Sequence, residues 1–203
     1  MSLSVEQLTA FAPRCYARDL APALSAAADE RKINTPKRLA HWLGQLSVES
    51  AGLTRFTENL SYSTERMMAV WPHRFPTLAS TSGCVHNPLG LANVVYAGRL
   101  GNTHPGDGYK FRGRGLIMLT GRDNYTRTGQ ALGLDLAEDP DLAETPTVAA
   151  RIAAHFWAAH GLNALADHDD VRAITHAING GEVGLEERKA AVARAKTALG
   201  VTD

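Results

Sequence analysis

Leu39, Trp42, Leu43 and Leu46 recur at i, i+3, i+4 and i+7, the spacing of a helix with one buried face. Asn34-Thr35-Pro36 stands just before them and supplies a helix start, with Thr35 as N-cap and Pro36 at the first helical position. Upstream, Ser4 followed by Gln7 makes a capping-box pattern that opens a short helix over VEQLTAF. The Ala-rich stretch 19–31 predicts a second. Downstream, 63–71 predicts a helix with Met67, Met68 and Trp71 as a core patch, stopped by Pro72. Residues 73–87 lack any period and read as a loop. Asn87-Pro88 restarts a helix, PLGLANVVYAGR, in which Ala92, Val95 and Tyr96 face inward.

Residues 116–120 read as a short apolar strand or turn, 121–132 as a helix ended by Gly133, and 139–145 as a connector. Thr145-Pro146 opens a helix whose expected buried side is Val148, Ile152, His155, Phe156 and Ala159, with Gly161 as terminator. Val171, Ile174 and Ile178 give another, ending at Asn179-Gly180-Gly181 so that Asn179 is left exposed. The stretch 185–199 is amphipathic, with Glu186, Glu187, Arg188 and Lys189 assigned to its wet side.

Two carboxylates flank the end of the 39–46 stripe. Glu49 is three residues beyond Leu46 and seven beyond Trp42, so it continues the apolar face. Burial disfavours a charged carboxylate, which is how an enzyme keeps a proton on a general acid near neutral pH. Glu58 is nine residues further on; a straight helix would put it roughly 13 Å away on the opposite face. Gly52 lies between, and glycine is favoured just past a helix end because it accepts positive φ. A break near Gly52 is therefore expected, folding 56–61 back across a groove from Glu49. Carboxyls about 6.5–9.5 Å apart with room for a water are the geometry of an inverting glycoside hydrolase. Glutamates near helix ends are commonly solvated, so spacing alone leaves both readings open.

A chain of 203 residues suits one well-cored domain. Lys+Arg and Asp+Glu both number 21, which removes the basic footprint of a nucleic-acid binder. Cys15 and Cys84 read as two free thiols, and neither CxxC nor HExxH occurs; His155 and His160 have the wrong spacing for a zinc site. The first twenty residues lack a secretory pattern and no run of about 18 apolar residues occurs, so neither a signal peptide nor a membrane span is expected. Glycines crowd positions 98, 101, 106, 108, 113 and 115. Without GxxxxGK[ST] or a preceding strand, they read as a groove wall rather than a phosphate loop. Arg112 and Arg114 in that stretch are expected to make at least one ion pair.

GQLSVES and AGLTRFTENLSYS, followed by YKFRGRGLIMLTGRDNY and AINGG, resemble glycoside hydrolase family 19, the chitinase-like group, and most closely its short bacteriophage endolysins. The resemblance spans about residues 35–199. It implies a mainly α, lysozyme-like helical domain with a long substrate groove and little or no β-structure: a single catalytic domain over 1–203, helices of 1–34 packed on it, and no separate wall-binding module. It also implies Glu49 as general acid, Glu58 as the carboxylate that activates water, and Thr120 as the hydroxyl that helps hold that water. Substrate contacts fall to Gln45, Asn59, Tyr62, Tyr96, Arg112, Asn124 and Asn179. For Tyr96 a half-buried core tyrosine, and for Asn124 a helix-capping amide, remain open. No metal or cofactor is expected, since two carboxyls supply both proton transfers. The expected partner is peptidoglycan glycan, cut by a monomer held in the host cytoplasm until a holin releases it to the wall; chitin is the alternative substrate, and a non-catalytic wall-binding protein the alternative of another class. Val48 and Met118 replace a His and a Gln common in the family, and a thioether lacks an amide's donors.

Overall fold

The structure, a computed structural model, describes residues 2–201. The helices are α1 (Val5–Phe11), α2 (Ala17–Glu30), α3 (Pro36–Glu49), α4 (Thr64–Val70), α5 (Pro88–Val95), α6 (Asp107–Lys110), α7 (Arg122–Leu132), α8 (Pro146–Ala159), α9 (Leu162–Asp167), α10 (Val171–Asn179) and α11 (Leu185–Leu199). Strand pairing among the described residues is confined to two isolated antiparallel bridges, Thr57 with Arg114 and Arg114 with Leu119. The mainly α expectation holds. Its chemical cause is visible at the helix starts. The Ser4–Gln7 capping box forms with both bonds present, and the Thr35 hydroxyl accepts from the Arg38 N–H ahead of Pro36, each such cap being worth roughly 1 kcal/mol.

The chain sorts into two compact units. The first takes residues up to Phe56, Gly115–Ile117 and everything from Leu142 onward; the second takes Thr57–Arg114 and Met118–Asp141.

In the first unit α2 packs on α8, α1 on α2 and α11, α10 on α9 and α11, and α3 on both α9 and α11. Leu8, Leu20, Leu24, Leu39, Trp42, Leu43, Leu46 and Trp157 are buried in its core, each apolar side chain contributing about 1.5–3 kcal/mol. The single-faced reading of α3 is too modest, because every residue from Leu39 to Ser47 is buried. A helix enclosed on all sides must find partners for its polar residues, here His41, Gln45 and Ser47. Gly44 is required at this spot: a Cβ there would lie 2.6 Å from Val192 Cγ2 and 2.9 Å from the Val192 N, so its absence lets α11 close on α3.

The expected break arrives on time. After the Ser50 C-cap, Ala51, Gly52 and Leu53 take φ of 52°, 77° and 61°, and the Gly52 N–H caps the Ser47 carbonyl at 2.7 Å. Left-handed Ala and Leu cost about 1–2 kcal/mol each; complete burial of Leu53 offsets that.

The second unit has its own core of Leu60, Met67, Phe75, Cys84, Leu91, Ala92 and Val95, with Tyr62, Met68, Trp71, Tyr96 and Tyr109 packed against it. The methionine and aromatic patch of α4 is thus core. Its glycine-rich stretch is a chain of turns locked by an ion pair between the buried Asp107 and the partly exposed Arg122. The Arg122 guanidinium beside Asp107 holds that carboxyl down at about 2, so the pair's contribution is complete above the ordinary aspartate value and is lost as pH falls through about 2.

Several expectations change. The 73–87 loop contains a 3-10 turn at Ala79–Thr81, and the 139–145 connector contains another at Pro140–Glu144. α6 and α9 have no counterpart in the periodicity. α8 buries Ala149, Ala150, Ile152, Ala153, Ala154 and Trp157, while Ala159 is exposed and Val148, His155 and Phe156 are only half-buried. Small alanines make up most of its buried side. On α11, Arg188 is buried, 3% exposed, and not on the wet side.

Candidate active site

Glu49 is the last residue of α3, with its side chain 19% exposed. The expected lone carboxyl in an apolar niche is not what the fold provides. Arg188 Nη2 donates to Glu49 Oε1 at 2.5 Å, and Arg188 Nη1 donates to Gln45 Oε1 at 2.6 Å. The guanidinium, 4% exposed, spans one turn of α3 and holds Gln45 and Glu49 together with the fork geometry that arginine alone offers. Gln45 is 1% exposed, so this amide serves Arg188 from inside the core. Asn179, in the same unit, ends α10 and is exposed; its Nδ2 donates to the Val183 carbonyl at 2.9 Å.

Glu58 belongs to the second unit and is held by neutral donors. The Gly113 N–H donates to Oε1 at 2.6 Å and the Tyr96 hydroxyl to Oε2 at 2.7 Å, while the Glu58 N–H returns a bond to the Gly113 carbonyl at 3.0 Å. Burial, and then the Glu58 carboxylate beside it, push the Tyr96 hydroxyl far above the ordinary tyrosine value, so it remains a proton donor. Gly113 is where the parts converge: a Cβ there would sit 3.2 Å from Thr120 Oγ1 and 3.3 Å from Glu58 Cδ.

Thr120 follows a tight turn in which Arg114 and Leu119 exchange backbone hydrogen bonds at 3.1 and 2.8 Å. Met118, within it, adopts φ 53°. The Thr120 hydroxyl donates to the Met118 carbonyl at 2.8 Å, which leaves its oxygen lone pairs to accept. Asn124 Nδ2 donates to the Thr120 carbonyl at 2.8 Å, and its Oδ1 accepts from Arg127, so the amide braces the turn ahead of α7, whose start has no side-chain cap. Arg112 stacks over the Tyr109 ring at 4.3 Å. The ion pair expected of this loop is Arg114 with Asp141, 2.7 Å. Tyr62 packs against Trp71 with the rings tilted by 45°, 5.2 Å between centroids, and Asn59 is exposed with its Oδ1 accepting from the Ser61 N–H.

The second unit thus gathers Glu58, Tyr96 and Thr120 around Gly113, and the first gathers Glu49 and Gln45 around Arg188. Sequence reasoning missed Arg188, although a signal existed: Leu185, Arg188, Val192, Ala195 and Leu199 follow the 3-4-3-4 spacing of a buried seam. A charge at a seam position asks for a buried partner. No cluster of three or more His, Cys, Asp or Glu suited to a metal occurs among the described residues, and no helix among them is long and apolar enough to cross a membrane.

Comparison with known proteins places this scaffold. The glycoside hydrolase family 19 profile described as "Chitinase class I" matches residues 81–181. A Haemophilus influenzae protein named "Glycosyl hydrolase family 19 domain-containing protein" is 36% identical over 168 residues, 82% of this chain and 82% of its own. An acidic 27 kDa endochitinase of Solanum lycopersicum is 46% identical over 63 residues, 30% of this chain and 26% of its own. Chitinase C from Streptomyces griseus HUT6037 superposes with a TM-score of 0.70 at 21% identity, covering 98% of this chain and 77% of that one, a likeness of fold. A mainly helical fold with such relatives defines an enzyme of the glycoside hydrolase class. The chain belongs to glycoside hydrolase family 19.

Proposed function

We propose that this hydrolase cleaves β-1,4 glycosidic bonds of bacterial peptidoglycan by single displacement, with Glu49 as the general acid and Glu58 as the base. Glu49 protonates the leaving oxygen; Glu58 removes a proton from the attacking water, which the Thr120 oxygen helps orient. Inversion at the anomeric carbon follows. The observation that carries the reading is the Glu58 cradle: both carboxylate oxygens accept hydrogen bonds from uncharged donors, with the Thr120 hydroxyl against the same glycine. Such an arrangement fixes a base without neutralising it.

Support for peptidoglycan comes from the endolysin-like motifs and their spacing. Support for chitin comes from the relatives, since the tomato and Streptomyces proteins carry chitinase names. Digesting purified peptidoglycan and chitin oligosaccharides in parallel, with reducing ends identified by mass spectrometry, separates the two. Muramic acid at the new reducing end supports a muramidase; release from chitin alone overturns it. Wall binding with no sugar released from either substrate would favour a non-catalytic scaffold.

A further inference from the structure

α3 and α11 are antiparallel partners joined at three levels, of which the Arg188 fork and the Gly44–Val192 approach have been described. The third lies two turns before Glu49. His41 Nε2 meets Asp169 Oδ1 at 2.5 Å, and Lys196 Nζ donates to Asp169 Oδ2 at 2.7 Å. His41 is wholly buried, and its other ring nitrogen, Nδ1, is buried with no hydrogen-bond partner. Positions 41 and 49 on α3, and 196 and 188 on α11, are each eight residues apart, about 12 Å along either axis. One cross-link lets a helix pivot about its close contact with a neighbour. Two cross-links at equal separation on both helices fix slide and rotation together.

We propose that the His41–Asp169–Lys196 relay is a positioning device that sets the register of α3 on α11 and thereby presents Arg188 to Glu49. The role of Glu49 as acid rests on the function proposed above; the register itself does not. Asp169 is built for the task. It sits at φ 60° in the turn after α9, a conformation that Asp and Asn tolerate, and from there its carboxylate reaches both helices. The other charge acting on His41 is Lys37 on its own helix; Arg38, also on α3, is taken by Asp167 at the end of α9.

His41 works as a neutral donor. Its Nε2–H points at Asp169, and a proton added to Nδ1 would be a bare N–H in the core. Burial accordingly depresses the His41 value more than Asp169 raises it. A depressed histidine contributes stability that is complete above the ordinary value of about 6.5 and is lost as pH falls through its lower folded value.

The test uses Asp169→Asn, which keeps the turn and removes the charge, and His41→Gln, which keeps a donor and removes the titration. Their urea unfolding is measured alone and combined with Arg188→Lys. Sites that do not touch are additive to a few tenths of a kcal/mol, so a local role for the relay predicts simple products of unfolding constants. A shared register predicts departure from that product by fivefold or more. On whichever glycan the wild type cleaves, Asp169→Asn should lower kcat at least fivefold with KM unchanged. His41→Gln should flatten the loss of stability that sets in as pH falls below the ordinary histidine value of about 6.5. Additive constants overturn the proposal, as does an unchanged kcat in an enzyme that Glu49→Gln inactivates. If Glu49→Gln retains wild-type turnover, the acid assignment falls instead, and the additivity measurement alone decides the relay.

Discussion

Glu49 and Glu58 are held in opposite styles. Glu49 shares a charge-balanced site with Arg188, which arrives from 139 residues away in sequence; Glu58 accepts from a peptide N–H and a tyrosine hydroxyl that add no charge. A charged partner makes the first carboxylate part of the core's electrostatics. Neutral donors hold the second one without a counter-charge in the hydrogen bonds themselves. The difference teaches that the same residue type is held by a counter-charge at one place and by neutral donors at the other.

The strongest way to break this contrast is to replace each acid by its amide. Glu49→Gln and Glu58→Gln should each reduce reducing-end release about a hundredfold to ten-thousandfold; thermal melting stays close to wild type for Glu58→Gln, whose amide still accepts hydrogen bonds, and falls for Glu49→Gln, which leaves the buried Arg188 charge unpaired. Wild-type turnover in either variant sinks its assigned role. Next comes Arg188→Met, which strands Glu49 and removes a partner of Gln45; a broken buried pair costs about 3–5 kcal/mol, read by urea denaturation. Adding Glu49→Gln to Arg188→Met should recover part of that loss. No comparable rescue is expected for Tyr96→Phe combined with Glu58→Gln.

Tyr96→Phe alone removes one hydrogen bond to a charged acceptor, about 1.5–3 kcal/mol, and should lower kcat/KM by about ten- to a hundredfold with little change in melting. A large fall in melting with kcat/KM preserved would make the Glu58 cradle structural. Thr120→Val should cost about fivefold in kcat. The smallest effect is spectroscopic. In an ultraviolet titration, Tyr96 should ionise after ordinary tyrosines, because burial and the Glu58 charge hold its proton; Tyr96→Phe should delete that late phase.

Much of this was legible in the chain. The Ser4 box, the Thr35-Pro36 start and the stop at Gly52 all lie where local chemistry puts them, because caps and positive φ are satisfied by neighbours in sequence. Glu49, Glu58 and Thr120 were reached through their motifs. Arg188 was misread because charged residues usually face water, and only its seam spacing with Val192 and Leu199 argued otherwise. His41 escaped for a related reason: burial on every side of α3 comes from α9 and α11, and no period within α3 announces it. α8 was read one step out of phase because large residues were weighted over alanines, yet close helix packing favours the small ones.

The pairing of α3 with α11 also governs the order in which a nascent chain can complete itself. Gln45 leaves the ribosome 143 residues before the arginine it must meet, and the whole second unit is synthesised in between. Translation therefore releases α3 with buried polar groups unanswered, and its final helix is the piece that seals them. Arrested chains lacking α11 should already protect Leu91 and Val95 from proteolysis, while α3 remains open to cleavage.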